Sequence, residues 1–297
     1  MGNMSNVPIH VEGILLEAAS SSGAASVVKS CPLPSQYIEE FEKLNKWKGC
    51  LIDGAPERFV YAHNRARAAG SGFPTSLAMG LDQGLTEHEV AAIFGWSTGD
   101  YRMINPIARG QSEVAFEDYP FLPNKLTKAT CVLSRDDVIP YVHVLSSALS
   151  KLPPLANNAQ RLWRGHRRYI NAEVGSTIVL RGFTSVTRDR DNALAFAAKP
   201  NEGTSSQRTL ISFVEHFSGR CISKLSARRD EMEVMFPLDT TFEVVPRPDY
   251  DDDDDDSDDI SAVLAAKERL KKTIPDVDIN LVYLKEVKVD DWSLKLP

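Results

Sequence analysis

The chain has 297 residues, of which 42% are hydrophobic and 25% charged, with a formal net charge of −7 at pH 7. That apolar content is ordinary for a globular protein and supports a sizeable core in one large domain or two small ones. The charge is local: Asp251 to Asp256, with Asp258 and Asp259, supply eight negatives in one run, and the remainder is close to neutral, so no broad basic face points to nucleic acid.

No apolar run is long enough to span a bilayer, so no membrane role is expected. No basic start followed by an apolar core marks a secretory signal. Met1-Gly2 is a poor myristoylation match because Asn6 stands where Ser or Thr is wanted. Cys31, Cys50, Cys131 and Cys221 contain no C-x-x-C pair, so no zinc or other metal site is indicated and reduced thiols are expected.

Residues 1–34 are rich in Ser, Ala, Gly and Pro and read as a flexible tail, or as a leader for a secretion route without a standard signal. From residue 35 to 156 the pattern is helical. Tyr37, Ile38, Phe41 and Leu44 recur at helical spacing. Thr86 with Glu89 forms a capping box for a helix through Phe94. A turn-like Gly95 to Asp100 leads into Tyr101 to Arg109, Gly110 to Lys128 reads as loop with short helices, and a helix spans Ile139 to Leu152 before Pro153-Pro154.

Residues 157–297 switch to short strands rich in β-branched and aromatic residues. The predicted strands are Arg161–Gly165, Thr177–Thr184, Thr209–Val214, Cys221–Lys224, Val234–Phe236, Thr241–Val245 and Asn280–Val289. A helix over Asp189 to Lys199 interrupts them, and an amphipathic helix over Ile260 to Lys272 follows an acidic insert at 249–259, which reads as a solvated loop. The fold class is α+β, a helical amino-terminal lobe followed by a mostly antiparallel β core.

Three pieces of the β half carry chemistry. The first is Leu162-Trp163-Arg164-Gly165-His166. The second is Gly182-Phe183-Thr184-Ser185-Val186-Thr187, followed by Asp191 to Phe196. The third runs from Gly219 to Pro237 and holds Ser226 and the pair Glu231 and Glu233. Both acids sit where the second strand of this piece begins, and their two-residue spacing should project them together to one face. Each piece alone is a common surface pattern; their order and spacing together are rare.

Together they resemble the ADP-ribosyltransferases of the arginine–serine–glutamate clade, which include arginine-specific transferases and bacterial toxins and effectors. Arg164 matches the first-strand arginine and Ser185 the strand serine, with Val186 and Thr187 in place of the usual Thr and Ser. Glu231 and Glu233 match the Glu-x-Glu. Trp96 to Tyr101, with Asn105 and Arg109, is similar to the family's helical-lobe segment, and Phe196 stands where related toxins place an aromatic against nicotinamide. The resemblance covers roughly Ser35 to Val289.

The resemblance implies a β-sandwich that binds NAD as co-substrate. It implies Arg164, Ser185, Glu231 and Glu233 as catalytic residues, with Arg164, Gly165, Ser185, Phe196 and Glu233 holding NAD. A planar guanidinium grips phosphate oxygens, and a carboxylate beside the ribose stabilises the positive charge that builds as the nicotinamide bond breaks. His166 and Lys199 are weaker phosphate candidates, equally consistent with exposed surface. The implied reaction is transfer of ADP-ribose to a protein side chain, arginine for a Glu at position 231 or threonine as on ubiquitin in some effectors. The loop Ser223 to Asp230 would choose the target, with Arg228 and Arg229 meeting an acidic contact. The expected partner is a target protein, the expected state a monomer, and the expected location cytoplasmic or a host cell. An NAD glycohydrolase and a non-catalytic binding module are the alternatives.

Overall fold

The computed structural model describes residues 10–11, 14–16, 72–116, 131–155, 161–198, 207–248, 257–272 and 277–288. The helix expected around Tyr37 to Leu44, the aspartates 251–256 and Lys199 lie outside them.

Among the described residues the helical lobe begins with α1 (Phe73–Asp82), which the sequence reading did not anticipate; Pro74 and Gly80 look like breakers. Pro74 sits in the first turn, where its missing N–H costs nothing. Gly80 is needed for close packing: a Cβ there would stand 2.2 Å from Cγ2 of Val90 on the next helix.

That helix, α2 (Glu87–Gly95), starts with the expected capping box: Glu89 N–H donates to Thr86 Oγ1 at 3.3 Å, and Thr86 N–H to Glu89 Oε2 at 2.8 Å. The buried Glu89 carboxylate also receives Ser147 at 2.6 Å and Lys151 at 2.8 Å, both from α4 (Arg135–Lys151). Burial pushes its carboxyl up, but the bonds from Lys151, Ser147 and Thr86 outweigh that and hold it below its ordinary value. One side chain thus caps α2 and staples it to α4.

Between α2 and α3 (Tyr101–Ala108) the chain widens into a π turn, Trp96–Asp100. Tyr141 of α4 braces it, its hydroxyl 2.7 Å from Ala92 O and 3.2 Å from Asp100 Oδ2. The segment expected as loop with short helices instead opens into a hairpin strand, β3 (Glu113–Phe116), paired antiparallel with β4 (Cys131–Ser134). α4 then starts four residues before the expected Ile139, with Pro140 inside it.

The remaining strands are β1 (His10–Val11), β2 (Ile14–Leu16), β5 (Leu162–His166), β6 (Thr177–Leu180), β7 (Thr184–Thr187), β8 (Gln207–Glu215), β9 (Arg220–Cys221), β10 (Glu233–Phe236), β11 (Thr240–Val245) and β12 (Asp278–Glu286). They form one sheet in the order β1-β2-β6-β11-β12-β8-β5-β7-β10-β9, antiparallel except for the β8–β12 pair. Three expectations change. Five residues of the presumed flexible tail are strands, with Leu15 and Leu16 pairing Val179 and Ile178. The predicted strand Thr177–Thr184 is two strands on distant parts of the sheet, because the chain turns at Arg181 to Phe183. The acidic insert ends early: Asp258 and Asp259 lie in the first turn of α6 (Ser257–Lys271).

The sheet curls into a sandwich. Phe236 of β10 and Phe242 of β11 sit five places apart in the strand order, yet their ring centroids are 5.1 Å apart. Phe213 of β8 touches both, at 5.1 and 5.0 Å. These rings join Leu162, Val186 and Val234 in the interior. The lobe packs outside, where Met235, Phe183 and Ile222 share its core. α5 (Arg190–Ala198) and α6 cover another outer face with Trp163 and Leu210. No helix among the described residues is long and apolar enough to cross a membrane.

Helix α5 lies directly on Gly165 of β5: a Cβ there would stand 1.9 Å from Ala193 O and 2.7 Å from Ala197 N. Backbone cannot yield to that overlap as a flexible side chain would. Gly165→Ala is expected to destabilise the fold by on the order of 2 kcal/mol or more, measured as a lowered urea midpoint with an unchanged m-value.

Candidate active site

The site is built on two adjacent strands. β7 and β10 pair with Glu233 opposite Thr187 and Met235 opposite Ser185. Alternation sends Val186, Val234 and Phe236 into the sandwich, and Ser185, Thr187, Glu233 and Met235 towards the lobe. Glu233 and Ser185 are therefore diagonal neighbours on one face, close enough for direct bonding.

Glu233 is 6% exposed. Its Oε1 accepts from Ser185 Oγ, and from the Trp96 indole N–H at 3.3 Å. Oε2 accepts from Ser226 Oγ at 3.4 Å. Trp96 N–H also donates to Ser185 Oγ at 2.9 Å. Burial pushes the Glu233 carboxyl above its ordinary value; the Ser185 bond opposes this, the nearby Glu231 charge adds to it, and Trp96 and Ser226 oppose it. The Trp96 contribution was missed in the sequence. The only signal was its place at the head of the segment that continues to Tyr101 and Asn105.

Arg164 reaches the same strand, its Nη1 donating to the Ser185 carbonyl. Burial pulls its guanidinium down to about 10, and the facing Arg109 adds to the drop, while Tyr101 and Glu233 oppose it. Two guanidiniums thus confront each other beside one carboxylate, an arrangement suited to a polyanionic ligand such as a pyrophosphate. Asn105 holds this side of the lobe in place, donating to Phe183 O at 3.0 Å. Glycine at 182 permits the approach, since a Cβ would lie 2.6 Å from Asn105 Oδ1.

Glu231 is not on the strand. It ends a 3-10 turn, Arg229–Glu231, and Met232 follows with φ 46 before β10 begins at Glu233. The strand-alternation reason for grouping the two acids therefore fails: a left-handed residue separates them, and Glu231 is exposed while Glu233 is buried. They remain close enough for Glu231 to raise the Glu233 carboxyl. The turn is tethered, with Thr187 Oγ1 donating to Glu231 O at 2.7 Å and Asn192 to Asp230 O at 3.2 Å. Arg229 is exposed but anchored to the lobe. It donates to Gly72 O at 3.1 Å and Ser76 Oγ at 3.2 Å, tying the turn to α1.

Phe196 lies on α5, 43% exposed, with the Arg167 guanidinium 4.7 Å from its ring centroid. Gly165 is packed under the same helix, so the structure accounts for it by packing. His166 is buried beside Arg168 O, not exposed. Among the described residues no three His, Cys, Asp or Glu side chains gather as a metal site.

The cost of burying Glu233 gives a test. Below the ordinary carboxylate value the group is protonated folded and unfolded alike. As pH rises through that value to the raised folded one, the unfolded chain ionises first and stability is lost. Glu233→Gln removes this loss. It is expected to raise the melting temperature at pH 7, with the gain shrinking as the pH falls towards about 4.

The sequence matches no family model and no curated protein. Among solved structures, it is similar to the eucaryotic mono-ADP-ribosyltransferase ART2.2, solved with NADH, at 12% identity and a TM-score of 0.50 over 91% of this chain and 93% of that one. It is also similar to the type III effector XopAI from Xanthomonas axonopodis pv. citri, at 15% identity and TM-score 0.48 over 86% and 89% of the two chains. The Vis toxin, an ADP-ribosyltransferase from Vibrio splendidus, gives 16% identity and TM-score 0.45 over 88% and 89%. By the match to ART2.2, the helical lobe and curled sheet described above have the fold of a mono-ADP-ribosyltransferase.

Proposed function

We propose that this protein is an NAD-dependent mono-ADP-ribosyltransferase that moves ADP-ribose from NAD to a protein side chain and releases nicotinamide. The observation that carries the reading is the buried Glu233 carboxylate, held by Ser185, Trp96 and Ser226 within reach of Arg164. A carboxylate fixed out of water, with the Arg164 and Arg109 guanidiniums close enough to act on each other, suits a substrate that brings phosphates and develops positive charge on a sugar.

Arg164 and Arg109 take the pyrophosphate. Glu233 bonds the ribose 2′-hydroxyl and stabilises the cation at the anomeric carbon, which lowers the barrier because that charge is larger in the transition state. The exposed Phe196 face takes the nicotinamide ring. The carbon–nitrogen glycosidic bond breaks, nicotinamide leaves with the bonding pair, and an acceptor nitrogen attacks the same carbon. The acceptor's proton goes to Glu231, which stands exposed on the rim of the site. Arginine is the proposed acceptor.

A second reading, NAD glycohydrolase, draws on the same separation. Glu231 lies outside the strand that carries Glu233, so water could replace the acceptor with no change to the buried half. Incubation with labelled NAD and a cell lysate, with mass spectrometry of the product, tests both. Glu233→Ala should lower nicotinamide release by roughly 100-fold or more. Glu231→Ala should abolish protein labelling and leave nicotinamide release within about threefold of wild type. Equal loss of both activities in Glu231→Ala would remove the role given to Glu231. Release without labelling in the wild type would favour the hydrolase.

A further inference from the structure

We infer that Trp96 is the positioning residue for Glu233, and that the π turn exists to bring its indole N–H there. The inference rests on the assignment of Glu233 to the reacting sugar. Trp96 opens the π turn, is 2% exposed, and sends one N–H to two acceptors, Ser185 Oγ at 2.9 Å and Glu233 Oε1 at 3.3 Å.

The directions of these bonds form a chain. A serine hydroxyl has one hydrogen to give, and Ser185 gives it to Glu233 Oε1. Its lone pairs are then available to Trp96 N–H. Each bond polarises the next, so the indole stiffens the Ser185–Glu233 contact as well as touching the carboxylate itself. Ser226 holds only the other oxygen, Oε2. Without the indole, Oε1 would keep a single partner that has its own rotational freedom.

The ring cannot drift from this position. Phe183 meets it edge-on with centroids 5.6 Å apart, and Tyr101 packs at 5.9 Å. Phe183 leads into the strand of Ser185, and Tyr101 starts α3. Helices of regular pitch place residues 100° apart, so removing the extra residue of the π turn would rotate Trp96 off this line. Tyr141 and Asp100 brace the turn, and Ser97 Oγ, which donates to Phe94 O at 2.7 Å, accepts Ala227 N–H at 2.8 Å. The turn thereby also touches the loop that carries Ser226.

The charged and titratable groups facing Glu233 are Arg164 from β5, with Arg109 and Tyr101 behind it, and Glu231 from the 3-10 turn. The indole adds no charge. Its loss should therefore act on the carboxylate through geometry and hydrogen bonding alone.

The test uses the full chain and Trp96→Phe, which keeps an aromatic ring and deletes the N–H. In ¹⁵N-labelled protein, the indole resonance absent from Trp96→Phe should move with pH in wild type and stay still in Glu233→Gln. In nicotinamide release, Trp96→Phe should lower kcat about tenfold, leave KM for NAD within about twofold, and shift the acidic limb of the pH profile upwards, because a carboxylate that loses a donor protonates more readily. A merely structural tryptophan would lower the melting temperature without moving that limb. An indole resonance indifferent to Glu233, or superimposable pH profiles, would overturn the inference. If Trp96→Phe does not fold, the wild-type and Glu233→Gln titrations decide it, with the resonance assigned sequentially. If wild type releases no nicotinamide, the proposed reaction falls, while the indole titration still decides whether Trp96 holds Glu233.

Discussion

Keeping a carboxylate out of water is the constraint on which this structure turns. An isolated buried charge is expensive, and it becomes tolerable only where fixed donors replace the lost solvent. Glu233 draws its donors from three separate places: Ser185 on the neighbouring strand, Ser226 in the loop before β10, and Trp96 in the helical lobe. The lobe and the sheet must therefore meet at one point with hydrogen-bond accuracy. Asn105 on Phe183 O, the phenylalanine and tyrosine around the indole, and the shared core of Met235, Phe183 and Ile222 secure that meeting.

Close approach is what the glycines supply. Position 165 admits the backbone of α5, and position 182 admits Asn105 and Arg109. Each removes a side chain where two elements must touch. The buried Arg208 adds to the same end: its Nε donates to Ala197 O, and its Nη1 to Arg167 O and Gln207 O. It fixes the carboxyl end of α5 and the loop after β5 relative to β8. The Phe196–Arg167 pair is thereby held from below by an interior cation.

Much of the site was legible because its parts lie on local patterns. A strand through Arg164, a strand with Ser185 and a later Glu233 are each short and regular, and the Thr86 capping box is a four-residue signal. What escaped was set by longer range. Gly80 and Pro74 look like breakers until Val90 and a first turn give them reasons. The left-handed Met232 is invisible to a period-two reading, so Glu231 was placed on the wrong element. The tether made by Arg229 escaped because its partners, Gly72 and Ser76, are far away in sequence. Trp96 could not be singled out as a donor before the π turn gave its direction.

The course of the chain after Glu233 has a consequence of its own. Phe236 lies three residues on, in the aromatic cluster at the centre of the sandwich, and the chain passes through Asp239, with φ 56, into the opposite layer. The strand that carries the buried carboxylate is thus footed in the most inaccessible part of the molecule. Immediately before it, by contrast, lies a tethered surface turn whose side chains from Arg228 to Met232 are exposed. Exposed turn and buried strand are divided at a single peptide, between Met232 and Glu233. On the proposed reading, a lineage could exchange the turn and acquire a different acceptor while inheriting the donor chemistry intact.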